Sequence, residues 1–294
     1  MRMPAFLLAM CLTAALLVTS CSRQQDDLEP QQAVYYWRTD FRLDSAEQAF
    51  ISKYGISKIY CRYFDVVIGP QNEPQPNATI TFSSPLPEGV CIVPTVYITE
   101  DCMHQSHQLL AENIVRRISQ MNETHDIGPL REIQIDCDYT ARSLANYFKF
   151  LKQVAEALER LPSSPALSTT IRLHQLSMEA PPADYGVLML YNTGDPRNFQ
   201  ERNPVLDYRD VHPYLRRLSG FPLPLAAAYP VYQWVRHIHG VRIEHTVQAE
   251  EILRVKEAVE QQRPTLSHAI ITYCLDKDNI RRYTPETYEK IYHH

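Results

Sequence analysis

Eight short apolar runs of strand character recur from Ala33 onward, with helical patterns between most of them, and this alternation restricts the possible folds more than any other feature of the sequence. The runs are Val34–Thr39, Ser57–Val67, Val90–Ile98, Glu132–Tyr139, Leu167–His174, Gly186–Tyr191, Leu225–Tyr232 and Ala269–Leu275. Helical periodicity occupies Ala46–Tyr54, Ser106–Met121, Ser143–Leu161, Tyr208–Leu218, Val247–Gln262 and Pro285–Tyr292. Strands separated by crossover helices lie parallel, because a parallel neighbour must start again from the same end of the sheet. Repetition of this unit without a mid-chain linker predicts one α/β domain over residues 33–294, a (β/α)8 TIM-like barrel. The barrel is somewhat degraded: Gly69–Gly89 is proline-rich and Ser177–Tyr185 is too short, so neither supplies a full crossover helix. An open doubly wound sheet competes with it, but the glycine-rich first turn of that architecture is missing.

The first 32 residues read as an address. Arg2 and the apolar stretch Ala5–Val18 form an export signal over residues 1–20, too short to span a bilayer comfortably. It ends in Val18-Thr19-Ser20-Cys21, which resembles a bacterial lipobox, and this implies cleavage before Cys21 and palmitate-type acyl chains on that residue. Two or more chains anchor a protein stably. Residues 21–32 are polar and aperiodic, a tether. Asp26-Asp27 soon after the cysteine resembles the surface-export signals of Bacteroidetes lipoproteins. The expected place is therefore the bacterial outer membrane, with the cell surface ahead of the periplasmic face.

Composition narrows the chemistry. The 8 glycines never fall as GxGxxG or as a Walker loop, so no nucleotide site and no cofactor are expected. A net charge of -5 without a run of Lys or Arg argues against nucleic acid. Beyond Cys11 and Cys21, the cysteines Cys61, Cys91, Cys102, Cys137 and Cys274 are odd in number and mostly inside apolar runs, which reads as buried thiols. No CxxC occurs, and neither His104 and His107 nor His237, His239 and His245 come with a spaced carboxylate set, so no metal site is expected. No Gly-x-Ser-x-Gly elbow is present.

The segment Glu132-Ile133-Gln134-Ile135-Asp136-Cys137-Asp138 carries the strongest functional signal. Period-two alternation puts Ile133, Ile135 and Cys137 on one face and Gln134, Asp136 and Asp138 on the other. A barrel's outer face packs on helices, so the two acids are expected inside, near the carboxyl end of the strand, where barrel active sites lie. The same alternation groups Ser168, Thr170, Arg172 and His174, which makes Arg172 a cation for those acids.

These residues resemble the chitinase-like barrels of glycoside hydrolase family 18. That family ends its fourth strand in Asp-x-x-Asp-x-Asp-x-Glu, which Asp136 and Asp138 match at the last two aspartates. Its sixth strand carries Met-x-Tyr followed by an acid, similar to Met189-Leu190-Tyr191-Asn192. The departures are Ile133 for the first aspartate, Thr140 for the catalytic glutamate and Asn192 for the last acid, so the family's substrate-assisted mechanism does not carry over. The order of the runs from Ala33 to Tyr232 also resembles an uncharacterised family of bacterial secreted proteins and lipoproteins expected to form this barrel.

Other strand ends add Trp37 and Asp40, Tyr63 and Asp65, Tyr97 with Glu100 and Asp101, Tyr229 and Trp234, and Asp276. Flat aromatics mixed with carboxylates and amides suit the C–H faces and hydroxyl rim of a sugar. The expected partner is therefore a glycan, with Asp136 and Asp138 as the catalytic pair and Gln134, Arg172, His174, Met189, Tyr191, Asn192, Asp40, Tyr229 and Trp234 as binding residues. If hydrolysis occurs, Asp138 is the general acid and Asp40 or Asp195 supplies the second carboxylate. Three roles stay open at this level: turnover of a glycan, binding without turnover, and a structural or envelope-assembly lipoprotein whose inward charges form an ion network.

Overall fold

The computed structural model describes residues 31–195, 202–238, 241–264, 266 and 269–293. The export segment 1–20, Cys21 and the tether through Pro30 lie outside the described residues, as does His239. Eight parallel strands close on themselves: β1 (Gln31–Tyr36), β2 (Lys58–Ile68), β3 (Cys91–Ile98), β4 (Glu132–Asp136), β5 (Ala166–Ile171), β6 (Tyr185–Met189), β7 (Leu225–Pro230) and β8 (Ala269–Tyr273). Each pairs with the next, and β1 pairs with both β2 and β8, so the barrel leaves no edge among these strands. Among the described residues the surrounding helices are α1 (Ser45–Lys53), α2 (Leu110–Thr124), α3 (Leu144–Glu159), α4 (Tyr208–Leu218), α5 (Ala249–Gln262) and α6 (Pro285–Tyr292).

The two weak crossovers take forms that their sequences dictate. After β2 the proline-rich stretch turns back as Pro74–Asn77, antiparallel to β2, and Thr81–Phe82 then pairs with Asp40–Phe41. After β5 only a single 3-10 turn, Leu173–Ser177, fits before β6. Gln175 fixes that turn, accepting from the Arg172 amide at 2.7 Å and donating to the Tyr139 carbonyl at 2.9 Å. At the amino end β1 begins at Gln31, so Gln31 and Gln32, read from the sequence as tether, pair with Ala269 and Ile270.

Two apolar layers follow from strand alternation. Outward side chains such as Ile133, Ile135 and Cys137 pack against helices, while Ala33, Tyr35, Tyr60, Val187, Met189, Ala226 and Ala228 fill the lumen. Gly186 lies where β6 meets outer-layer side chains of its neighbours. A Cβ there would sit 2.7 Å from Ile171 Cγ1 and 3.0 Å from Leu225 Cδ2. We expect Gly186→Ala to lower unfolding free energy by about 1–3 kcal/mol, as overpacking does. Urea denaturation reads this directly, and an unchanged midpoint would contradict the packing described.

Candidate functional site

Strand β4 delivers its polar side chains to the lumen. The Tyr35 hydroxyl donates to Gln134 Oε1 at 2.8 Å, and the Thr170 hydroxyl donates to Asp136 Oδ1 at 2.7 Å. Two residues past the end of the strand, Asp138 accepts from Arg172 Nε at 2.5 Å. The strand ladders stop at Asp136 and Ile171, so this ion pair belongs to the rim of the barrel. His174 lies in the 3-10 turn, where strand alternation no longer applies, and is exposed.

Charge and burial set the protonation states. Burial pushes the Asp136 carboxyl up to about 6; Arg172 opposes this, and the charge of Asp138 adds to it. Burial works against the Arg172 charge, but Asp136 and Asp138 outweigh it and hold the guanidinium firmly protonated. The half-buried Tyr97 is pushed up to about 12 by burial and then by Asp138 and Asp136, so it stands near both acids. Asp138, the residue expected to act as general acid, is committed to Arg172; the carboxyl with the raised pKa is its buried neighbour Asp136.

A cavity of about 410 Å³ opens at this rim, bordered by Asp138, Arg172, His174, Met189, Tyr191 and Asn192, with Tyr214 at its side. Six residues selected from the sequence thus share one cavity. Tyr191 stacks on Tyr273 at 4.6 Å between ring centroids, and Tyr273 also meets Tyr35, Trp37 and Tyr232 within 5.7 Å. Asn192, in a left-handed conformation with φ 53°, accepts from the Tyr232 hydroxyl.

Gln134 and Asp136 are buried in the lumen and do not border this cavity, and three more of the expected binding residues lie elsewhere. Tyr229 points outward into the helix layer, because β7 fills the narrow lumen with Ala226 and Ala228 and leaves the opposite parity to Leu225, Ala227 and Tyr229. Asp40 sits in the short pair after β1, where it accepts from Thr81 at 3.3 Å. Trp234 is carried by the hairpin Gln233–Ile238 and Val241–Thr246, with its ring 6.1 Å from that of His245. None of the three borders the rim cavity. Asp195 is exposed and likewise not on it.

Tyr63 and Asp65 have the same sequence parity but opposite directions. The register of β2 slips between Arg62 and Phe64, and this bulge turns Asp65 inward. Tyr63 instead donates outward to Asn122 of α2 at 2.8 Å. The slip also brings Arg62 and Asp65 together as an ion pair, with the guanidinium 5.7 Å from the Trp37 ring centroid. Sequence reasoning missed Arg62, since a bulge has no period. It also missed Tyr273, although the alternation Ala269, Ile271, Tyr273 would have found it.

Thr140, read from the sequence as replacing a catalytic glutamate, follows β4 by four residues. Its hydroxyl donates to Glu100 Oε1 at 2.7 Å, joined by Ser143 at 2.9 Å. These bonds, led by that from Thr140, and the nearby His104 hold the Glu100 carboxyl below its usual range. An acid that is already ionised cannot donate the proton that glycoside cleavage requires.

Larger hollows of about 760 and 580 Å³ open at the opposite ends of the strands, around Lys58, Val90 and Ser57. There the buried Glu132 is fully engaged, accepting from Ser168 at 2.6 Å, from Lys58 at 2.9 Å and from Tyr185. At the rim cavity, by contrast, two bordering residues, Arg172 and Tyr191, keep a buried polar atom without a partner, so the smaller hollow is the better site. Among the described residues no group of three or more His, Cys, Asp or Glu is arranged to hold a metal ion.

Solved structures share this architecture along nearly the whole chain. A chitinase from Bacteroides thetaiotaomicron superposes with a TM-score of 0.61 at 10% identity, over 91% of this chain and 99% of that one. The Bacillus cereus spore cortex-lytic enzyme SleL gives 0.56 at 14% identity, over 90% and 74%. A tamarind chitinase-like lectin gives 0.50 at 11% identity, over 90% and 100%. No family model matches the chain, and no curated protein matches it. The fold is a TIM-like (β/α)8 barrel similar to those of these proteins, with six helices among the described residues.

Proposed function

We propose that this protein binds a glycan at the rim cavity of its barrel without cleaving it, while anchored to the bacterial outer membrane through acyl chains on Cys21, facing the cell surface. The carrying observation is that the expected general acid Asp138 is paired with Arg172, the other expected catalytic acid Asp136 is buried in the lumen, and Thr140 and Glu100 beside them are bonded to each other. Around them remain an aromatic wall and unspent donors, which is the equipment of a sugar-binding cleft. Likeness to both a chitinase and a chitinase-like lectin is consistent with a barrel that holds sugar with or without turnover.

Trp37 offers a variant beside the cavity, because its partly buried ring packs on Tyr273, which in turn stacks on the cavity residue Tyr191. We expect the purified protein to retain oligosaccharides on a glycan array, Trp37→Ala to weaken that binding about 10-fold, and neither form to release reducing ends from polysaccharides. Release that vanishes in Asp136→Asn would establish turnover instead. Absence of binding to every glycan would leave the inward charges as a structural network. Loss of radiolabelled palmitate from Cys21→Ala in cells checks the anchor.

A further inference from the structure

We propose that the rim cavity selects a sugar bearing a carboxylate, held by the Arg172 guanidinium and the Tyr191 hydroxyl; this rests on the reading of the rim as a glycan site. Among the described residues, Arg172 Nη1 and Tyr191 Oη are buried and have no hydrogen-bond partner. A buried donor left without a partner is costly, which favours a ligand that meets it. Both belong to residues bordering the same cavity of about 410 Å³; the two atoms are themselves closed off from it, so an acceptor entering the cavity meets them once the Arg172 and Tyr191 side chains shift. A guanidinium can only donate, and Tyr191 is 3% exposed with its ring 5.9 Å from the Arg172 guanidinium carbon.

Arg172 is also held in place before any ligand arrives. Its amide is fixed by Gln175 and its Nε by Asp138, so part of the planar fork remains for a second acid group. Such a fork matches a carboxylate better than it matches a hydroxyl. The charge balance agrees. Positions that are acidic in the chitinase-like pattern are Ile133, Thr140 and Asn192 here, while Arg172 compensates Asp138 and Arg62 compensates Asp65. Asp136, next to the pair of Arg172 and Asp138, keeps its proton up to about 6 because it is buried. Leu173, Met189 and Tyr191, the last backed by Tyr273, supply the apolar surface that a sugar ring needs.

Isothermal titration of the whole protein at mildly acidic pH, with oligosaccharides of galacturonate, of glucuronate and of N-acetylneuraminate, with their carboxyl methyl esters, and with neutral chitin oligosaccharides, tests this. At least one acidic series should bind, and its methyl ester should bind about 10-fold or more weakly. Arg172→Gln should bring the acid down to the level of the ester, and Tyr191→Phe should weaken the acid about 5-fold. Because Arg172→Gln also removes a partner of Asp138, the comparison of acid and ester on the unaltered protein decides independently of how that variant folds. Esters that bind as well as acids, or neutral chitin oligosaccharides that bind more tightly than every acidic series, would overturn the carboxylate while leaving the glycan reading intact. If no sugar of any series binds, both fall together.

Discussion

Asp136→Asn should stabilise the protein by about 2–3 kcal/mol at pH 8 and change it little at pH 4, since one pKa unit corresponds to about 1.4 kcal/mol. The carboxyl is 3% exposed, and its pKa rises from 3.8 to about 6 because burial penalises the charged form more than Arg172 relieves it. In the unfolded chain this group loses its proton near pH 4, whereas in the fold it keeps it until about 6. Between those values the folded state binds more protons than the unfolded one, so the contribution of this residue falls as pH rises through that window and then stays level. An amide of nearly the same shape retains an acceptor for Thr170 and never ionises, and Arg172 keeps Asp138. Urea unfolding of both forms at pH 4, 6 and 8 isolates the difference from all other titrating groups. A gap that does not widen with pH, or a variant less stable throughout, would show that Arg172 compensates the charge fully.

At the other end of the lumen the sign is reversed. Glu132→Ala should cost about 3–5 kcal/mol, the range for a buried charge pair that loses one partner. Glu132 is 4% exposed and accepts from Lys58, Ser168 and Tyr185, and Tyr185 in turn shares a hydrogen bond of 2.7 Å with Tyr60. Removing the carboxylate strands a half-sheltered ammonium and two hydroxyl donors together. Replacing both ions, as Glu132→Leu with Lys58→Met, should recover most of the loss, because the desolvation of the pair disappears with its attraction. Chemical denaturation of Glu132→Leu, Lys58→Met and the double closes the cycle. If Glu132→Ala falls within about 1 kcal/mol of the parent, the network contributes no more than an exposed pair.

Much of the barrel was legible in the sequence because the signals that specify it are local. Side chains alternate along a strand by steric necessity, so the direction of Gln134 and Asp136 followed from Ile133 and Ile135 beside them. The missing crossovers were legible too, since proline and chain length act where they stand. Tyr229 was misjudged because Leu225–Pro230 is apolar on both faces, so polarity could not say which parity enters the lumen. The bulge that separates Tyr63 from Asp65 leaves no mark in the pattern of residues.

What the sequence by itself determined is the number and order of the barrel strands, their parallel sense, and the inward direction of Gln134 and Asp136 on the fourth; Asp138, expected beside them, stands past the strand at the rim. Only the tertiary structure decided which side chains meet: Arg172 with Asp138, Thr140 with Glu100, Arg62 with Asp65, and Tyr191 with Tyr273. It also decided that Asp40 and Trp234 stand apart from the rim cavity. The reason is that alternation is a property of one strand, whereas a site at the end of a barrel depends on how far each strand is displaced against its neighbours when the sheet closes, and that displacement is fixed by the packing of the whole ring.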